Sequence, residues 1–150
     1  MKFNIIEAKS KHIEQVGELF DLYRQFYKYE SNLIKSTNYI KDRITNNESI
    51  IFIAINDANE AIGFVQLYET FGSLDLGKII ILYDLYVKKN HRKNNIGKQL
   101  MIKSHEYAKK IKAKRIQLST AIDNFIGQSL YESLGYVKDI DFYTYDFEIK

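Results

Sequence analysis

An apolar run at residues 78–87, KIIILYDLYV, is the feature that most constrains how this chain folds. A nearly unbroken run of this kind is typical of a central strand that is buried on both faces. It leads into residues 87–100, VKKNHRKNNIGKQL, which contain five Lys or Arg, one His and no acidic residue. This loop opens an amphipathic helix, and the order strand, polar turn, glycine, helix collects backbone N–H groups that hold a phosphate. The segment therefore predicts an anion-binding site at the N-terminus of that helix.

The rest of the chain alternates between helix and strand patterns. Apolar residues at helical spacing predict helices at residues 11–29, with Ser10 as the N-cap, and at 37–45, 95–112 and 124–134. Gly135 stands where a glycine ends the last of these helices. Apolar runs between turn residues predict strands at residues 3–8, 49–56, 61–70, 78–87, 114–120, 136–137 and 142–149.

These elements predict an α/β fold. The helix at 95–112 joins the strands at 78–87 and 114–120, which makes them a parallel pair in a right-handed β-α-β crossover. Antiparallel strands flank this crossover. The predicted architecture is a mixed, mostly antiparallel central sheet of about seven strands with about four helices, in a single domain of residues 1–150.

Composition excludes several kinds of site. The sequence has no Cys, which rules out a disulfide scaffold, thiolate metal ligands and a cysteine nucleophile. His12, His91 and His105 lack the spacing of a metal-binding motif, so we expect no metal. A formal net charge of +3 suits an anionic cofactor as well as RNA, so it does not discriminate between these ligands. We expect no nucleic-acid partner. No stretch has the length of a signal peptide or a membrane span, so we expect a cytoplasmic protein without a membrane partner.

Two motifs resemble those of a known family. Residues 92–97, RKNNIG, resemble the R/Q-x-x-G-x-G/A acetyl-CoA motif of the GNAT superfamily of N-acetyltransferases. Residues 124–136, NFIGQSLYESLGY, resemble its second signature, N-x-x-A-x-x-L-Y-E-x-x-G-F/Y. The predicted element order also resembles that fold, and the whole chain looks like the small single-domain branch with fungal histone-acetyltransferase-like and bacterial members. The resemblance is strongest over residues 79–136.

The chain departs from the family pattern at two positions. Asn95 stands where the phosphate loop has its first glycine, and Gly127 stands where the family has Ala. Because Asn tolerates a left-handed backbone better than most residues, we expect the loop conformation to be reachable at some cost. Gly127 is expected to weaken the short helix slightly.

The resemblance implies acetyl-CoA as co-substrate and assigns residues to it. Backbone groups of the central strand would bond the pantetheine arm at Leu85, Tyr86 and Val87. Backbone N–H groups of the loop would hold the pyrophosphate, from Arg92, Lys93, Asn94, Asn95, Ile96, Gly97 and Lys98. Asn124 would bond the pantetheine or the backbone near the thiol. As an alternative, Asn124 is the N-cap of the helix that it opens, and both roles are compatible.

Two residues are candidates for proton transfer. The resemblance implies that Tyr131 protonates the leaving thiolate, and a phenol suits this role because its ordinary pKa, near 10, is close to that of a thiol. The alternative is a helix tyrosine that only packs its ring. Asp84 interrupts the apolar strand, where a carboxylate is costly unless it is bonded or used, so it is a candidate base for the amine. Its alternative is a structural carboxylate, and Glu69 and Glu30 are weaker candidates for the base.

The acceptor is the least defined part of the sequence interpretation. Five residues are expected on the acceptor side, namely Tyr23, Tyr27, Glu69, Phe71 and Tyr143, although Tyr23 and Tyr27 also fit a core stripe. We expect direct transfer to a primary amine, preferably of a small metabolite. A protein-lysine, N-terminal or aminoacyl-tRNA acetyltransferase and a non-catalytic CoA-binding module are the alternatives. A homodimer is expected by analogy, with residues 142–149 pairing across the interface.

Overall fold

The computed structural model describes residues 2–150, and it divides into two compact units, one that ends at Leu118 and one from Ser119 to Lys150. The elements of the first unit are β1 (Phe3–Glu7), α1 (Ile13–Phe26), α2 (Leu33–Thr45), β2 (Ile50–Asn56), β3 (Ala61–Gly72), β4 (Gly77–Val87), α3 (Ile96–Lys110) and β5 (Ile116–Gln117). The second unit contains α4 (Phe125–Ser133). Among residues 2–150, no helix combines the length and the apolarity needed to cross a bilayer.

The sheet has five strands in the order β1-β2-β3-β4-β5. The first four strands pair antiparallel. β4 and β5 pair in parallel at Ile80 with Ile116 and at Ile81 with Gln117, and α3 connects them in the chain. The prediction of a mixed, mostly antiparallel sheet with four helices is confirmed, whereas the prediction of about seven strands is wrong, because the described residues form five.

The missing strands are the two predicted near the C-terminus. Residues 136–137 and 142–149 form no strand, although 142–149 has the alternating pattern of one. The Asp139 carboxylate instead accepts bonds from the Asp141 and Phe142 backbone N–H groups at 2.9 and 3.2 Å, which makes a local turn. Alternation predicts a half-buried face, but a strand also needs a neighbouring backbone for its hydrogen bonds. The predicted strand at 114–120 is likewise reduced to the two residues of β5.

Two helices begin at positions other than the predicted ones. A 3-10 turn, Ser10–His12, precedes α1, so the residue before its first turn is His12 and not Ser10. α2 begins at Leu33 because the Asn32 side chain accepts a bond from the Lys35 N–H at 3.0 Å. Side chains of this type at the N-cap satisfy N–H groups that lack a helical partner, and they fix where a helix starts.

The core lies on both faces of β3. Successive side chains of a strand point to opposite faces. Phe64 packs its ring against those of Phe20 and Tyr23 on α1, at centroid distances of 6.5 and 6.1 Å. Gly63 points the other way, where a Cβ would lie 3.3 Å from Cγ2 of Ile96 at the start of α3. β3 is thereby held between α1 on one face and α3 on the other.

Candidate active site

A β-bulge interrupts the pairing of β3 with β4. Gln66 lies opposite Asp84, whereas the next residue of β3, Leu67, lies opposite Leu82, so Tyr83 is an extra residue in β4. The Tyr23 hydroxyl donates a hydrogen bond to the Tyr83 carbonyl at 3.1 Å. Bulges bend a strand and change the direction of its side chains, and they are frequent next to active sites. The bulge therefore marks the part of β4 where the polar site is built.

Asp84 is buried beside this bulge, with 3 % of its surface exposed. The Gln66 side-chain amide donates to its carboxylate at 2.6 Å, and the Ser49 hydroxyl donates to the Gln66 carbonyl oxygen at 2.8 Å. Ser49 thus fixes which end of the amide faces Asp84. Burial raises the pKa of Asp84 to about 6, although hydrogen bonds from Gln66 and Tyr23 act in the opposite direction. A carboxylate with this pKa accepts protons effectively near neutral pH.

Asp84 lies at one side of a cleft of about 400 Å³, whose other lining residues are Phe20, Tyr39, Tyr68, Ile81 and Tyr83. The hydroxyls of Tyr39 and Tyr68 share a hydrogen bond of 2.6 Å. Burial raises the pKa of Tyr68 far above its ordinary range, so this phenol stays neutral. The cleft combines aromatic walls with one carboxylate.

The five residues predicted for the acceptor side do not line this cleft. Tyr23 packs against the hydrophobic core, and its hydroxyl bonds the bulge. The Tyr27 ring lies edge-on to the Tyr23 ring, with centroids 5.2 Å apart. Glu69 accepts a bond from Lys78 at 2.8 Å. Phe71 and Tyr143 are exposed.

The sequence interpretation did not name five of the cleft residues as site residues, namely Phe20, Tyr39, Tyr68, Ile81 and Tyr83. Phe20 is one of the apolar residues at helical spacing that predicted the helix at residues 11–29. Tyr68 and Tyr83 are brought together by the register of β3 and β4, which includes the bulge. Periodicity detects a buried face, but it does not give the register that places two strand residues side by side.

The loop after β4 has the backbone that the sequence predicts at Asn95. Asn95 takes a left-handed conformation, with φ of 65° and ψ of 7°, immediately before α3. Its side chain makes no capping bond, and the first bond of the helix runs from the Gln99 N–H to the Asn95 carbonyl at 3.1 Å. The N–H groups of Ile96, Gly97 and Lys98 therefore point out of the helix end, where an anion is favoured.

Arg92 holds this loop against the end of β4. Its Nε donates to the Val87 carbonyl at 3.0 Å. Its guanidinium carbon lies 5.4 Å from the centre of the Tyr86 ring and 5.7 Å from that of Phe26. The Asn94 amide donates to the carbonyls of His91 and Arg92, both at 3.2 Å. These contacts fix the path of the loop before any ligand is bound.

One basic side chain of the loop forms an ion pair, and three others are exposed to solvent. Lys88 forms an ion pair with Glu60 at 2.6 Å. Lys89, Lys93 and Lys98 are exposed around the start of α3. Their positive charge adds to that of the helix N-terminus and attracts a phosphate at longer range.

One edge of β4 is open beside this loop. Leu85, Tyr86 and Val87 pair with Val65, Phe64 and Gly63 of β3. On the other side, β5 pairs with β4 only at Ile80 and Ile81. Within residues 2–118, the backbone at 85–87 therefore has no strand partner on that side. The resemblance implies a pantetheine arm at these residues, and an open strand edge is a surface that an extended ligand can pair with.

The second unit contains Asn124 and Gly127 at the start of α4. The Asn124 side-chain oxygen accepts a bond from the Gly127 N–H at 3.2 Å, and its amide donates to the Thr120 hydroxyl at 3.0 Å. Asn124 is therefore the N-cap of α4, as one of its two predicted roles required. A Cβ at Gly127 would lie 2.6 Å from the Asn124 amide nitrogen, so glycine leaves room for this cap.

Tyr131 lies in the last turns of α4 and is half-buried. Its ring centroid is 6.2 Å from that of Tyr136, at an interplanar angle of 58°. Burial, together with the nearby Tyr131, raises the pKa of Tyr136 to about 12. The helix ends at Ser133, and Gly135, just after the C-cap residue Leu134, has a φ of 88°, in agreement with the predicted glycine stop.

A profile described as the acetyltransferase (GNAT) family matches residues 16–136, which span the bulge, the loop and α4. The chain belongs to the GNAT family of acetyltransferases. It is 39% identical over 142 residues to the uncharacterized N-acetyltransferase YhfO of Bacillus subtilis (strain 168), an alignment that covers 95% of each chain. The protein is therefore an acyltransferase, and the resemblance stated from the motifs is confirmed.

Solved structures share the fold. A crystal structure of a probable acetyltransferase has a TM-score of 0.91 and 33% identity, and the match covers 98% of each chain. An aminoglycoside N-acetyltransferase in complex with CoA has a TM-score of 0.81 at 17% identity, over 99% of this chain and 96% of that one. Members of this family use acetyl-CoA as co-substrate. No three acidic or histidine side chains among residues 2–150 are grouped as metal ligands.

Proposed function

We propose that the protein is a cytoplasmic enzyme that transfers the acetyl group of acetyl-CoA directly to the primary amine of a small metabolite. The observation that carries this proposal is the buried Asp84 in a cleft at the bulge of β4. The same strand continues to the open edge at residues 85–87 and then to the loop before α3. A proton acceptor and an anion-binding loop are thus parts of one strand–loop–helix segment.

Acetyl-CoA is assigned to residues of this strand–loop–helix segment and to Asn124. The N–H groups of Ile96, Gly97 and Lys98 and the loop backbone from Arg92 to Asn95 would hold the pyrophosphate. The backbone at Leu85, Tyr86 and Val87 would bond the pantetheine arm. Asn124 would contact the arm near the thiol while it caps α4. Preformed donors of this kind hold charge without reorganisation at the moment of reaction.

The reaction needs three proton transfers. Asp84 takes a proton from the bound ammonium, directly or through a water molecule, which leaves a neutral nitrogen with a free electron pair. That nitrogen attacks the thioester carbonyl, a C–N bond forms, the nitrogen gives its second proton to solvent, and the C–S bond breaks with its electron pair on sulfur. Tyr131 gives its proton to the thiolate. The amide and CoA are released, and solvent returns Asp84 and Tyr131 to their starting protonation states.

The preference for a small acceptor is supported by the cleft. A volume of about 400 Å³ lies near the lower end of the range for small-molecule sites. The fold neighbours share no common acceptor, since one is an aminoglycoside N-acetyltransferase and another a ribosomal-protein-alanine N-acetyltransferase.

The test is the release of free thiol from acetyl-CoA with a panel of small amines and lysine peptides. Tyr131→Phe is measured in parallel, and Tyr145→Phe, an exposed tyrosine elsewhere in the second unit, serves as its control. Turnover with a small amine that falls at least about 100-fold in Tyr131→Phe alone supports the proposal. Turnover only with lysine peptides or aminoacyl-tRNA contradicts the small acceptor. Binding of acetyl-CoA with no turnover on any amine indicates a CoA-binding module instead.

We also propose a homodimer. Residues 142–149 carry five large apolar or aromatic side chains that are 77–90% exposed, namely Phe142, Tyr143, Tyr145, Phe147 and Ile149. Contiguous exposed groups of this kind mark association surfaces. Size-exclusion chromatography with light scattering is expected to give twice the 17.7 kDa chain mass, and a monomer after Phe147→Asp. A wild-type monomer at all concentrations contradicts the proposal.

A further inference from the structure

The walls of the acceptor cleft are aromatic on four different elements. The rings of Phe20 on α1 and Tyr39 on α2 are stacked, with centroids 5.2 Å apart. The rings of Tyr68 on β3 and Tyr83 on β4 meet edge to face at 5.8 Å. Aromatic faces carry negative charge density, and they attract both a cation and a flat apolar body.

The cleft offers only one negative charge. Among its lining residues, Asp84 is the one acid. A fixed cation lies beside one wall: the Arg43 guanidinium carbon is 4.5 Å from the centre of the Tyr39 ring, and its Nε pairs with Glu48 at 2.6 Å. The second ammonium group of a doubly charged ligand would therefore lie near a cation and would find no second carboxylate among the lining residues.

Asp21, a buried acid on α1, is already committed to other groups. The Asp21 carboxylate accepts bonds from Gln25, Ser31, Asn32 and Ser36 at 2.6–2.9 Å. These bonds outweigh its burial and lower the pKa of Asp21. A carboxylate with its acceptor positions filled by protein donors gives little to a ligand cation.

We propose that the cleft selects a small amine that carries a single positive charge on an aromatic or apolar body, of the arylalkylamine class. Its ammonium group meets Asp84, and its body lies between the rings of Phe20, Tyr39, Tyr68 and Tyr83. Polyamines and aminoglycosides are disfavoured because their additional charges lose water without gaining a partner. This inference rests on the proposed function, since it names the acceptor of that same site.

The first experiment compares phenethylamine, hexylamine, spermidine, kanamycin and a lysine peptide as acceptors, with kcat/KM taken from thiol release. The expected value for phenethylamine is at least about tenfold above those for spermidine, kanamycin and the peptide, with hexylamine in between. In the same protein, isothermal titration of each amine into the CoA complex measures binding without turnover, and the order of affinities is expected to be the same.

The second experiment uses a matched pair of variants. Tyr83 lines the cleft, whereas Tyr29 does not, and their side chains are similarly exposed, at 66% and 63%. Tyr83→Leu is expected to raise KM for phenethylamine by roughly two- to fivefold, the size of one cation–π contact at a partly exposed site. Tyr29→Leu is expected to change neither KM nor kcat. An equal effect of the two variants overturns the inference.

The outcomes separate this inference from the proposed function. Preferred acetylation of spermidine, kanamycin or the peptide overturns the single-charge acceptor and leaves acetyl transfer to an amine intact. Acetylation of no amine by protein that binds acetyl-CoA overturns the proposed function. In that case the titrations still decide the inference, because tighter binding of phenethylamine than of spermidine supports it and the reverse order overturns it.

Discussion

Replacing Asp84 with Asn is expected to stabilise the fold at alkaline pH while it removes activity. The pKa of Asp84 is raised from 3.8 to about 6 because the carboxylate is buried. Between these two values the unfolded chain is ionised at this position while the folded chain keeps its proton. Above pH 6 both states are ionised, and the folded state bears the full cost of a buried charge. The asparagine side chain has the same shape, stays neutral, and still offers an oxygen to Gln66.

The magnitude follows from the two pKa values. One pKa unit corresponds to about 1.4 kcal/mol, so the burial of ionised Asp84 costs about 3 kcal/mol at pH 8. Asp84→Asn is expected to raise the free energy of unfolding by up to that amount at pH 8 and by well under about 1 kcal/mol at pH 4. For a chain of this length, the increase at pH 8 corresponds to roughly 6–12 °C in Tm.

The assay is urea unfolding followed by circular dichroism at pH 8 and pH 4, for wild type, Asp84→Asn and Asp57→Asn. Asp57 lies in the exposed turn after β2, so it controls for the substitution itself and is expected to change stability little at either pH. Other acids, including Asp21 with its lowered pKa, are present in all three proteins and cancel in the comparison. An equal change in the free energy of unfolding at both pH values for Asp84→Asn would contradict a raised pKa at Asp84.

Three further predictions concern the base, the loop and the order of reaction. Gln66→Met removes a hydrogen bond that lowers the pKa of Asp84, so the acidic limb of the kcat/KM profile is expected to move to higher pH. An acidic limb at the wild-type pH would contradict this role of Gln66. Asn95→Val places a β-branched residue at a φ of 65°, so it is expected to lower the free energy of unfolding by about 1–2 kcal/mol and to weaken CoA binding in calorimetry. Asn95→Gly is expected to do neither. Similar CoA affinities for both variants would contradict the proposed role of the loop in CoA binding. Initial rates over a grid of acetyl-CoA and amine concentrations are expected to give intersecting reciprocal plots, as in a ternary complex, and parallel lines would indicate an acetyl-enzyme.

Local chemistry made several parts of the fold predictable from the sequence. Asn95 was predicted to accept a left-handed backbone because its short polar side chain tolerates that conformation, and it does so. Gly135 was predicted to end α4 for the same kind of reason, and its φ is 88°. The start of α2 was predicted at residue 37 from apolar spacing, whereas the side chain of Asn32 caps the helix four residues earlier, at Leu33.

Features that depend on distant partners were not predictable in the same way. The alternation of residues 142–149 is typical of a strand, but it does not contain the neighbour that a strand requires, and no strand forms there. Asp84 was singled out because it breaks an apolar run. The extra residue at Tyr83, and with it the approach of Tyr68 to Tyr83, depends on the register between β3 and β4. The sequence thus singled out Asp84 as a candidate base, a role that stays a proposal, and missed the aromatic side chains around it.

Whether Asp84 accepts the proton of the acceptor amine is tested most directly by the pH dependence of kcat/KM for that amine. Wild type is expected to lose activity as the pH falls through an apparent pKa near 6, because Asp84 is then protonated. Asp84→Asn is expected to be at least about 100-fold slower at pH 8 and to lack this step, while Asp57→Asn keeps the wild-type profile. An unchanged step near pH 6 in Asp84→Asn, with activity close to wild type, would show that Asp84 is not the proton acceptor.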